Sequence, residues 1–206
     1  MRKLLLLVQC CLLLIVQDLG AQVFGGNPPA LPFFQLKTDS VRVIFPAGLE
    51  REAREVAWTV HQLYRRNPAP LGKQLRRFDV VLQNQTIQSN GYVGIAPYRS
   101  EYYMMPPLHN VIDGSIPWHL ALAVHEHRHM EQFANFNRTI PRVLGTVLGQ
   151  EGTALGFGAV VPNWFFEGDA IWQETLVTGQ GRGRLPNFFN AYRSLWQAGR
   201  NDRYMK

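Results

Sequence analysis

Between residues 49 and 64 the apolar side chains Leu49, Ala53, Val56, Ala57, Val60, Leu63 and Tyr64 recur every three to four positions, the spacing of one helical face. Glu50 with Arg54, and Arg51 with Glu55, supply ion pairs on the opposite side, and Asn67-Pro68 ends the run. The segment predicts an amphipathic helix that covers a sheet. Ahead of it, Val41-Arg42-Val43-Ile44-Phe45 reads as a strand closed by Pro46-Ala47-Gly48. Residues 78–82 give a second strand and 92–98 a third, with Gln88-Ser89-Asn90-Gly91 as the turn, so these two are expected to pair antiparallel. Pro97 removes a ladder donor and marks the end of the third strand as an edge. An edge strand offers unpaired N–H and C=O groups to an extended peptide. An edge that binds nothing is the alternative.

The pattern changes after a loop over 104–112. Trp118, Leu120, Ala121, Leu122, Ala123 and Val124 are apolar on every side, as in a helix sunk in a core, with Pro117 in its first turn and Ser115 as its cap. A strand over the same residues would point His125, His127 and His129 one way. The helix formers and the length of the run favour the helix. After a break at 135–139, residues 140–155 read as a helix with an apolar side through Val143, Leu144, Val147 and Leu148. Gly145, Gly149, Gly152, Gly156 and Gly158 in and just after this stretch fit close helix packing at least as well as a site. Residues 164–176 and 185–196 predict two more helices. The sum is an α+β fold, a small sheet with an edge strand on a central helix, followed by further helices.

Composition narrows the setting. A chain of 206 residues, 46% hydrophobic, forms one domain with a true core over 39–206. Residues 1–21 carry Arg2 and Lys3, an apolar run from Leu4 to Val16 and the small-residue exit Leu19-Gly20-Ala21. This is the layout of a secretory signal peptide cut before Gln22, and it predicts an exported, periplasmic or extracellular protein; an uncleaved anchor is the alternative. Residues 22–38 read as an extended lead-in. Both cysteines, Cys10 and Cys11, fall in the leader, so a metal site in the mature chain must use His and carboxylate, as catalytic zinc sites do. Removing Arg2, Lys3 and Asp18 takes one from the formal charge of +6. Arg65, Arg66, Lys73, Arg76 and Arg77 form a basic cluster, read as a solvated positive face; no nucleic acid partner is expected of an exported protein, whereas association with an anionic envelope surface is compatible with it.

The chemistry sits at the end of the apolar helix. His125-Glu126-His127-Arg128-His129 fits H-E-x-x-H, in which imidazoles four apart share a helix face and can grip one Zn²⁺. Glu126, beside the first of them, is placed as a general base that takes a proton from a zinc-bound water as it attacks a carbonyl. The plain alternative is two surface histidines without a metal. His127 faces away from the pair and reads as an ordinary exposed or paired histidine.

A second motif follows at Val161-Pro162-Asn163-Trp164-Phe165-Phe166-Glu167-Gly168-Asp169-Ala170. H-E-x-x-H followed by W-[FL]-x-E-G-x-A resembles the gluzincin branch of the peptidase MA-like zinc metallopeptidases. The wider stretch, from Asn90-Gly91-Tyr92 through Arg99-Ser100-Glu101 to Glu174, resembles the zincin-like N-terminal domain of secreted bacterial proteins that continue into a Tol-type β-propeller. The resemblance implies a zincin-like fold and a chain that is the front of a longer protein or a truncated copy. It implies that His125, His129 and Glu167 are the zinc ligands and Glu126 the base of an enzyme hydrolysing peptide bonds in peptide or protein substrates. A zinc-binding interaction module that turns nothing over is the alternative. Glu151-Gly152-Thr153-Ala154 also fits E-G-x-A, and 21 residues separate His129 from Glu151 against 37 before Glu167. Spacing favours Glu151, whereas the Trp164-Phe165-Phe166 context and the helix after it favour Glu167. Thermolysin-like members of the family place an acid one turn after the glutamate ligand to orient a histidine. Here that position is Ile171, so the orienting group must come from elsewhere. For the oxyanion, Tyr92, Tyr98, His109 and Arg128 are the candidates.

Overall fold

The computed structural model describes residues 27–72, 75–108 and 115–200. The expected leader over 1–21 and His109 lie outside them. Among the described residues, five strands and five helices follow in the order β1 (Phe33–Lys37), β2 (Val41–Pro46), α1 (Glu50–Arg66), β3 (Phe78–Gln83), β4 (Gly91–Ile95), β5 (Tyr98–Tyr103), α2 (Trp118–Phe136), α3 (Thr139–Val160), α4 (Asn163–Thr178) and α5 (Asn190–Gln197). A 3₁₀ turn, Arg182–Arg184, lies between the last two. The molecule is α+β around one mixed sheet of order β1-β2-β3-β5-β4. No helix among the described residues is long and apolar enough to cross a membrane.

The core follows from the periodicities. β2 and β3 are parallel and joined through α1, the crossover that parallel neighbours require. Val41, Val43, Phe45, Val80, Leu82 and Tyr102 meet Ala53, Val56, Ala57 and Val60 of α1 and Leu122, Ala123 and Met130 of α2 in one buried cluster. Of the ion pairs expected on α1, Arg51–Glu55 forms at 3.7 Å. Part of the expected lead-in is a strand: residues 33–37 pair antiparallel with β2 at the sheet's outer edge.

The expected antiparallel pairing of the second and third strands does not occur. β4 ends at Ile95, the chain reverses at Ala96-Pro97, and β5 returns between β4 and β3, antiparallel to the first and parallel to the second. Tyr98-Arg99-Ser100-Glu101-Tyr102-Tyr103 lacks the apolar alternation of a strand because its buried polar groups pair with one another: Glu101 accepts from Arg99 at 2.5 Å and from Gln83 at 3.2 Å. β4 is the sheet's other edge strand, as the nearby Pro97 predicts, and it lies over α2.

α3 is an antiparallel helical hairpin rather than one helix. Gly149 breaks it at φ 68°, ψ −150°, a conformation open to glycine. The arms then close on small residues: a Cβ added at Gly152 would lie 2.2 Å from the Leu144 carbonyl, and one at Gly156 2.4 Å from Pro141 Cα. Much of the apolar side read through Val143, Leu144, Val147 and Leu148 points outward, with Val143 62% and Val147 75% exposed.

Candidate metal centre

α2 is buried along nearly its whole length and carries His125, Glu126 and His129 into the molecule. Ser115 is not its cap; the hydroxyl donates to Gln180 Oε1 at 2.5 Å, and Pro117 precedes the first helical residue. α4 packs across α2 and delivers Glu167. Two sets of contacts fix the crossing. Phe133 of α2 meets Phe166 of α4 and Phe157 of α3 at ring distances of 5.4 and 5.1 Å. Deeper in, Arg128 grips Asp169 through Nε and Nη2 at 2.7 and 2.9 Å and donates to Glu131 at 2.8 Å, while Gln132 Nε2 donates to the Phe166 carbonyl and to Asp169. Such a fully paired polar seam fixes a helix crossing more closely than apolar contact alone.

The crossing brings His125, His129 and Glu167 together, with one ligand atom from each within 4.8 Å of the others. Glu151, the competing glutamate, is exposed on the second arm of α3 and is not part of this group. The hydrogen bonds behind the rings decide what faces the centre. Gln132 Nε2 is spent on two acceptors, so its Oε1 accepts from His129 Nδ1 at 2.8 Å. Glu174 Oε1 lies 2.6 Å and Arg182 Nη2 2.7 Å from His125 Nδ1, and one nitrogen cannot both donate and accept. Glu174 decides it: hydrogen bonds from His125 and Arg182 outweigh its burial and hold its carboxyl below the usual range, so it is an ionised acceptor and His125 Nδ1 carries the proton. Arg182 then donates to Glu174 through Nε and Nη2.

Both rings therefore turn Nε2 toward the centre, and the two nitrogens are 3.1 Å apart. Facing lone pairs at that distance repel unless a cation lies between them. Glu167 closes the third side at 3.4 Å from His125 Nε2 and 3.7 Å from His129 Nε2. A small divalent ion held tetrahedrally at bond lengths of about 2.1 Å sets its ligands about 3.4 Å apart. The group fits a metal ion. Without one a proton takes that place: burial opposes charge on His125, but Glu167, Glu174 and the Glu126 charge raise it to about 9, while burial lowers His129.

Glu126 is buried beside the group, and its Oε2 has no hydrogen-bond partner among the described residues. Burial pushes its carboxyl up to about 7, with Glu167 and Glu174 adding to the rise and His125 and Arg182 opposing it. A carboxyl so placed exchanges a proton near neutrality. Gly91 of β4 roofs it, since a Cβ there would stand 2.9 Å from Glu126 Oε1. The cleft around these residues measures about 440 Å³ and is also lined by Tyr92, Trp118, Phe133, Asn163 and Arg182.

The remaining expectations divide. Tyr92 lines the cleft, whereas Tyr98 donates to the Met130 carbonyl outside it and Arg128 is bound into the α2–α4 seam. Neither lines the cleft. His127 is neither exposed nor paired: it is fully buried against Phe78 with both ring nitrogens unpartnered among the described residues, and burial lowers it to about 3. It faces the sheet because it lies on the side of α2 away from His125 and His129. Sequence reasoning missed Glu174, Gln132 and Arg182. Glu174 lies two turns beyond Glu167 on one helix face, a spacing that identifies it once position 171 is found to be isoleucine.

No family model, no curated protein and no solved structure matches the chain.

Proposed function

We propose that the chain is a zinc-dependent hydrolase of peptide bonds, of the gluzincin type that the H-E-x-x-H and E-G-x-A motifs resemble. The observation that carries this reading is the pair of convergent imidazole Nε2 atoms closed by Glu167, with the unpartnered carboxyl of Glu126 beside them. Two imidazoles and one carboxylate are a donor set of catalytic rather than structural zinc, because three protein ligands leave a position open. Zinc, when bound, supplies a Lewis acid that polarises a carbonyl oxygen and acidifies water. Glu126 holds and returns the proton, and its burial keeps it near the pKa that such a transfer needs. Glu174 and Gln132 keep both rings in the ligating tautomer. The edge of β4 offers backbone groups on which an extended peptide can be held over Glu126. Export rests on the leader-like sequence of residues 1–21.

Glu126→Gln tests the reading. The variant is expected to keep zinc at the parent's level while hydrolysis of a mixed peptide library falls at least about a hundredfold, since only the proton carrier is lost. Zinc retained by a parent that cleaves no peptide would reject the enzyme and leave the zinc-binding interaction module.

A further inference from the structure

A second cavity, about 800 Å³, opens where the metal cleft ends. Phe133 lines both, and β4 runs from one to the other, with Gly91, Tyr92 and Val93 on the cleft and Ile95 on the second cavity. Its walls are the end of α2, both arms of the α3 hairpin and the loop before β3. Arg76 and Arg142 line it and no acidic residue does; neither arginine has a carboxylate partner among the described residues. Gln150 and Thr153 add neutral polar groups, and Phe133 and Phe157 an aromatic floor. A concave site with cationic walls concentrates anions, and guanidinium suits a carboxylate in particular.

We propose that this cavity receives a carboxylate of an extended peptide lying along β4. At about 3.3 Å per residue, the step from Gly91 to Ile95 puts that carboxylate roughly three to four residues from the bond over Glu126. The inference rests on the peptidase reading and adds an acidic requirement at one end of the substrate. Arg76, from the basic cluster of residues 65–77, then has a use beyond solvation. The carboxylate comes from an acidic side chain or from the peptide's own C-terminus.

The test measures binding, so that it stands apart from turnover. Zinc-loaded Glu126→Gln protein is titrated with fluorescent peptides of one length: blocked at both ends with a single glutamate near either end, blocked with glutamine instead, and free only at the C-terminus. One acidic end is expected to tighten binding about tenfold over the glutamine peptide, with the gain lost in R76Q/R142Q and reduced by salt. Both arginines are exposed, so that variant should unfold at the parent's temperature. A gain with blocked peptides assigns the site to an acidic side chain; a gain only with the free C-terminus assigns it to the chain end. Equal binding of acidic and neutral peptides, a preference that survives R76Q/R142Q, or no binding of any peptide would overturn the inference. Hydrolysis by the parent without acidic preference would leave the peptidase reading intact and remove this one; acidic preference without hydrolysis would do the reverse.

Discussion

Glu174 and Gln132 set the chemistry of the centre although neither is a ligand. Each accepts the Nδ1 proton of one histidine, and this leaves the two Nε2 lone pairs facing one another. Removing such a partner from a ligating histidine typically lowers metal affinity 10- to 100-fold. Glu174→Gln should therefore weaken zinc by about that factor, read from competition with a chromophoric chelator. Unchanged affinity would mean that His125 needs no acceptor behind it. In the same titration Glu167→Ala should weaken zinc at least about tenfold and Glu151→Ala leave it nearly unchanged; the opposite order would make Glu151 the ligand. The grouping of His125, His129 and Glu167, with Glu126 beside it, was legible in the sequence, because two motifs and the helix after the second carry those residues. Glu174 carried only a helical spacing from Glu167 and Arg182 no signal at all, since their relation to His125 is made by the α2–α4 crossing and the turn after α4. His127 was misread because an imidazole is rarely buried without a partner, and nothing in a single sequence shows which side of a central helix meets the sheet.

At the level of elements, α2 and β4 act together. The all-round apolar character of α2 announced its burial, and the proline beside β4 announced an edge. β5 escaped notice because its stability comes from the Arg99–Glu101–Gln83 hydrogen bonds and not from an apolar stripe. The helical hairpin escaped too: one periodic run spans both arms, and only the φ of Gly149 divides it. β4 sits close enough to α2 that Gly91 admits no side chain, a Cβ there meeting Leu122 Cδ2 at 2.7 Å and Glu126 Oε1 at 2.9 Å. Gly91→Ala should push Glu126 from its place and cut hydrolysis at least about tenfold while zinc stays bound, at a cost of about 1–3 kcal/mol in unfolding free energy for overpacking. Full activity with parent stability would contradict this contact between β4 and α2.

Across the whole molecule, the centre joins parts far apart in sequence. α2 is seated on the sheet by Leu122, Ala123 and Met130, whereas α4 reaches α2 through the Phe133–Phe166 contact and the Arg128–Asp169 pair. A metal ion bound by both helices adds a third tie and stabilises only the folded chain. The outward apolar faces of α3 have no cover among the described residues, and their hairpin was the part of the architecture least legible from the pattern. The most direct measurement is the zinc content of the purified protein after zinc-supplemented expression, determined by elemental mass spectrometry beside a His125→Ala/His129→Ala variant. About one zinc per chain in the parent and none in the variant is expected of a three-residue centre; a parent without zinc, or equal zinc in both, would contradict it.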